Sequence, residues 1–76
     1  MHKTYTIDIF KLNEKAEQTM DGPYYSDRMD TTTESLSEDL RHIANSKDPF
    51  IDCAGYKAIA YDCCGNVAAV FYHMYH

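Results

Sequence analysis

Residues 56–72, YKAIAYDCCGNVAAVFY, constrain the fold more than any other stretch, because two apolar runs flank a short turn and make the densest hydrophobic block of the chain. Asp62-Cys63-Cys64-Gly65-Asn66 reads as a hairpin loop of three residues: Cys63 and Cys64 take a type I turn, and Gly65 supplies the left-handed conformation that closes a bulge. That loop sets Tyr61 opposite Val67, Ile59 opposite Ala69 and Lys57 opposite Phe71, and opposed residues share a face. One face is then bulky (Ile59, Tyr61, Val67, Ala69, Phe71) and the other flat (Tyr56, Ala58, Ala60, Ala68, Val70, Tyr72). A hairpin apolar on both faces needs cover on both. A slip of one residue would exchange the faces.

The rest of the chain supplies candidates for that cover. Residues 4–12 alternate as a strand, with Tyr5, Ile7 and Ile9 on one side and Thr4, Thr6 and Asp8 on the other. Residues 13–30 are polar, contain Gly22-Pro23 and lack sustained periodicity, so they read as a long acidic loop. Thr31 with Glu34 fits a capping box, and Leu36, Leu40, Ile43 and Ala44 follow as one helical stripe. The spacing predicts a helix over residues 32–46, stopped by Pro49. Phe50, Ile51 and Cys53 suggest a short edge segment before Gly55, and the hairpin occupies residues 56–73.

The expected fold is therefore α+β: a single β-α-β-β domain over residues 1–76, with a three-stranded, mainly antiparallel sheet and one helix packed on one face. Burying Ile59, Val67 and Phe71 under the helix removes more apolar area than burying alanines, and at ~25 cal/mol per Å² that places the bulky face inward. The flat face is then left open, covered by the loop carrying Tyr24 and Tyr25, or packed on a second molecule.

Charge narrows the function classes. The net charge is −5, and it is concentrated in residues 13–39, where Glu14, Glu17, Asp21, Asp27, Asp30, Glu34, Glu38 and Asp39 face only Lys15 and Arg28. Direct nucleic-acid binding needs a positive surface and is not expected; a larger basic protein or nucleoprotein complex is the natural partner. A hydrophobic content of 45% beside 25% charged residues is that of a chain that folds rather than one that stays disordered. At this length only ~60% of the unfolded surface is buried, so a partner or a second copy would add needed stability.

No run is long and apolar enough for a membrane span, and the alternating start MHKTYTIDIF does not read as a secretory leader. Three cysteines, two of them adjacent, point to a reducing cytoplasm rather than a disulfide framework.

Chemical motifs are weak. Cys63 and Cys64 with Cys53, His73 and His76 do not have zinc spacing, since neighbouring ligands point apart. A thiolate at Cys63 or Cys64 would sit beside Asp62 with no cation near in sequence. Glu34 with Glu38, or Asp27 with Asp30, would serve acid–base work only in a pocket that shifts a pKa. The expectation is a chain with no catalytic residues, no metal and no cofactor. The candidate partner surface is Tyr24, Tyr25, Asp27, Asp30, Glu34, Glu38 and Asp39: tyrosine anchors flanked by carboxylates that imitate a nucleic-acid backbone. The alternative is a homodimer or complex subunit pairing through Tyr56, Ala58, Ala60, Ala68, Val70 and Tyr72. A small thiol or metal-binding protein is a third reading.

In size, charge and order of elements the chain resembles the small acidic inhibitor proteins of phages and mobile elements, such as anti-CRISPR proteins. That resemblance implies a protein, host-cytoplasmic if phage-encoded, that blocks a larger defence complex without a cofactor.

Overall fold

Strand β1 (Lys3–Leu12) is the axis of the fold, since its alternating Tyr5, Ile7 and Ile9 form the centre of the core and its two edges both carry a neighbour. β2 (Tyr25–Thr31) pairs on one side, and β3 (Gly55–Tyr61) on the other; β4 (Val67–Met74) completes the sheet beyond β3. All three pairings are antiparallel, in the order β2-β1-β3-β4. Helix α1 (Leu36–Ser46) joins β2 to β3 and packs on β3 and β4. The computed structural model describes residues 2–46 and 53–75. The predicted edge segment at Phe50 and Ile51 lies outside the described residues.

The α+β class stands, but among the described residues the sheet has four strands, not three, and the order is β-β-α-β-β. The strand missing from the sequence reading is β2, which takes the end of the predicted loop of residues 13–30 and runs on into Thr31. It has the period of a strand: Tyr25, Met29 and Thr31 face the core side, while Ser26, Arg28 and Asp30 face away. Charge on both faces hid that alternation, as suits an edge strand protected from pairing with other chains.

The helix also starts later than the capping pattern implied. Thr31 ends β2, buried to 2% exposure, and donates its hydroxyl to the carboxylate of Asp39. Ser35 N–H bonds the Thr32 hydroxyl, and Ser35 C=O accepts the first helical bond, from Asp39 N at 2.9 Å. Ser35 is thus the N-cap. Leu36, Leu40 and Ala44 form the buried stripe.

α1 covers the face that the hairpin alone marked as flat. Tyr56, Ala58 and Ala60 are fully buried beneath it, whereas Val67 is exposed. Two facts decide this orientation. β1 contributes Tyr5, Ile7 and Ile9 to that side but Thr4, Thr6 and Asp8 to the other, so the whole sheet outweighs the hairpin. A bulge beside Tyr61 then shifts β4 by one residue: Tyr61 still opposes Val67, but Ala60 opposes Ala69 and Ala58 opposes Phe71. Phe71 and Ala69 thereby move to the helix side, and Val70 and Tyr72 to the open side. Ala58 and Ala60 let the helix approach closely while Phe71 and Tyr56 fill its flank.

Candidate functional site

The open face of the sheet is divided into two unlike halves. Over β1 and β2 it is polar, with Thr4 donating to Asp30 Oδ1 at 2.6 Å and Ser26 donating to Asp8 Oδ1 at 2.7 Å. Over β3 and β4 it is apolar: Ile59 opposes Val70, and Val67 (58% exposed), Val70 (47%) and Tyr72 (58%) stand into solvent. Below these, Phe10 and Leu12 are buried, with the Lys57 ammonium 5.0 Å from the Phe10 ring and bonded to Gln18 at 3.1 Å. Among the described residues, no element lies over the apolar half.

β4 forms one edge of the sheet and β2 the other. The two edges differ in charge. β2 carries Asp27, Arg28 and Asp30, whereas VAAVFYHM of β4 contains neither acid nor Lys or Arg. Tyr75 N–H bonds Ala54 C=O at 3.0 Å, which turns the backbone groups of odd-numbered residues toward β3. By the alternation of a ladder, Val70 and Tyr72 direct their N–H and C=O outward.

The acidic candidate residues do not form one patch. Tyr24 is 43% exposed, with the Lys11 ammonium 4.5 Å over its ring. Tyr25 is half-buried against the core on the helix side, so the two tyrosines do not act as a pair. The Tyr25 hydroxyl donates to Asp27 Oδ2 at 2.6 Å, and this bond, with slight desolvation and the carboxylate's charge, raises the phenol pKa. Asp27 lies on the helix side and Asp30 on the open side. Asp39 is half-buried and serves Thr31. Glu34 and Glu38 are exposed at the start of α1, with Glu38 3.9 Å from the His42 imidazole. Of the six residues read as a dimer face, Tyr56, Ala58 and Ala60 are fully buried, while Ala68, Val70 and Tyr72 are exposed.

The hairpin loop is built as its sequence indicates. Asp62 N bonds Asn66 O at 2.9 Å, Gly65 N bonds Asp62 O at 3.0 Å, and Gly65 has φ 83°. Asp62 Oδ1 accepts the backbone N–H of Asn66 and of Cys64, which lowers the carboxyl pKa. Cys63 and Cys64 are exposed, with Sγ atoms 3.9 Å apart. The Cys63 thiol and the Asp62 charge raise the Cys64 pKa, which disfavours a thiolate there.

A shallow groove of about 610 Å³ runs between Leu12, Asn13, Lys15, Glu17, Thr19 and Ala54, and a smaller one of about 500 Å³ between Lys3, Tyr5, Thr33, Asp62 and Ala68. Among the described residues, no three His, Cys, Asp or Glu side chains come together as metal ligands, and no helix is long and apolar enough to cross a membrane.

A contact that sequence reasoning missed ties α1 to the sheet. The buried Tyr56 hydroxyl donates to Asn45 Oδ1 at 2.5 Å, and the Tyr56 ring lies 5.5 to 6.2 Å from those of His73, Phe71 and Tyr75. The aromatic density of residues 71–75 was the available signal.

No family model, curated protein or solved structure matches this chain.

Proposed function

We propose that this chain is a protein-binding module that inhibits a larger, basic, nucleic-acid-handling complex by covering part of its surface. The observation that carries this reading is the apolar half of the open sheet face, where Ile59, Val67, Val70 and Tyr72 lie together in so small a chain. Exposed apolar patches mark interaction sites, and an aromatic such as Tyr72 is the usual kind of interface anchor.

The class of partner follows from charge. With a net charge of −5 and exposed Asp30, Glu34 and Glu38, association with a basic surface is favoured, and long-range attraction speeds the encounter. An anti-defence role, of the kind played by phage and mobile-element inhibitors, is the specific form this reading takes. The contact combines the apolar half of the open face with long-range attraction from acids that lie elsewhere on the chain.

Capture from a bacterial lysate, followed by mass spectrometry, tests the proposal when wild type is compared with Ile59→Lys and with the Glu34→Lys, Glu38→Lys pair. Recovery of one basic complex by wild type, and its loss with Ile59→Lys, is expected. Equal recovery by all three proteins would exclude this surface.

A further inference from the structure

We infer that the β4 edge pairs with β4 of a second copy, antiparallel about a two-fold axis at Phe71. The inference rests on the reading of the β3–β4 half as a contact surface, and it names a second copy of this chain as the occupant of its edge.

Three observations lead to it. First, the edges are protected unequally. Charged side chains on an edge strand prevent pairing with other chains, and β2 has them, but β4 does not. Secondly, the outward N–H and C=O groups of Val70 and Tyr72 are spaced to exchange hydrogen bonds with the same groups of a copy. A two-fold at Phe71 sets Val70 opposite Tyr72 of the copy, twice, so each exposed Val meets an exposed aromatic on the open face. The bulge lies at the other end of β4, beside Tyr61, and leaves Ala69–Met74 regular.

Thirdly, charge permits a copy at this edge and disfavours it elsewhere on the surface. Two chains of net charge −5 repel unless they meet where the acids are absent, and β4 is the uncharged edge. Pairing there joins two four-stranded sheets into one of eight, in the order 2-1-3-4-4-3-1-2. The acid-bearing β2 strands fall at the two outer edges, as far apart as the sheet allows. The two apolar halves become one continuous strip, with an acidic margin at each side.

Sedimentation equilibrium of the purified chain tests this without any partner, so its failure is separate from failure of the capture experiment. Wild type should be a dimer at concentrations well below about 1 mM. Val70→Lys and Tyr72→Lys, both at exposed positions, should weaken it at least ~tenfold by placing like charges near the axis. Arg28→Glu on the opposite edge should leave it unchanged. In hydrogen exchange, the Val70 and Tyr72 amides should be protected in the dimer and lose protection in Val70→Lys. A wild-type monomer at about 1 mM overturns the inference. So does a dimer that survives both lysine variants, or one whose Val70 and Tyr72 amides exchange freely.

Discussion

Ala16 and Gly65 occupy equivalent positions in two copies of the same turn. Asn13 N bonds Glu17 O at 2.9 Å as Asp62 N bonds Asn66 O at 2.9 Å, and Ala16 N bonds Asn13 O at 2.9 Å as Gly65 N bonds Asp62 O at 3.0 Å. In each, the first side chain accepts two further backbone N–H groups: Asn13 Oδ1 from Lys15 and Glu17, Asp62 Oδ1 from Cys64 and Asn66. Ala16 and Gly65 are both left-handed, at φ 62° and 83°.

An L-residue pays about 1 kcal/mol or more for that conformation, and glycine does not. Ala16→Gly should therefore stabilise the protein by up to ~1 kcal/mol, and Gly65→Ala should destabilise it by ~1 kcal/mol, because a Cβ at Gly65 meets no atom within 4 Å and only the backbone term remains. Thermal unfolding should show shifts of opposite sign, of roughly 4–8 °C per kcal/mol.

Gly55 has the opposite basis. A Cβ there would meet the His73 carbonyl oxygen and Met74, atoms of the neighbouring strand. Gly55→Ala should cost more than Gly65→Ala, about 2 kcal/mol or above, through displacement of β4. Urea titration of the two variants side by side gives the comparison; equal losses would contradict the close approach of the strands.

The folded chain holds the Asp62 carboxyl below its ordinary value of 3.8 through backbone N–H bonds from Asn66 and Cys64. A depressed carboxylate contributes stability that is fully present above the unfolded value and is lost as pH falls through the folded one. Wild-type stability should thus decline as pH drops through 3.8 and below. Asp62→Asn keeps the acceptor, as Asn13 does in its own turn, and should show a shallower acid decline in denaturation midpoints. An unchanged slope would remove Asp62 from the acid response.

Tyr56 and Asn45 join the sheet to the last turn of α1. Asn45 is exposed, so water can replace the lost partner, and Tyr56→Phe should cost only the net worth of the bond, about 0.5–1.5 kcal/mol, while keeping the ring contacts. Asn45→Ala in the Tyr56→Phe background should add less than it does alone, and the double-mutant cycle measures the coupling.

These turns also explain what was legible in the sequence. Asp62 to Asn66 was readable because Gly65 announces the left-handed position; Asn13 to Glu17 was not, because Ala16 fills that position. β2 was obscured by Asp27, which puts a charge on the core side and breaks the expected alternation of apolar and polar residues, whereas Arg28 and Asp30 keep it and suit an edge strand. The apolar stripe Leu36, Leu40, Ala44 was readable from its spacing. The face it covers was not, because a single bulge reverses the rest of β4 and no residue of the hairpin marks it. Within the candidate site, the exposure of Glu34 and Glu38 followed from charge, whereas the engagement of Asp39 by Thr31 and of Asp30 by Thr4 depends on strand register.

We propose that the open β3–β4 face contacts a basic partner. The most direct measurement is the affinity of the captured complex for wild type, Ile59→Lys and the Glu34→Lys, Glu38→Lys pair, each at low and high salt. A loss of at least ~tenfold is expected for Ile59→Lys at both salts, as for a residue in an interface centre, with a wild-type affinity that falls with salt more steeply than that of the charge-reversed pair. Equal affinities and equal salt dependence in all three proteins would contradict it.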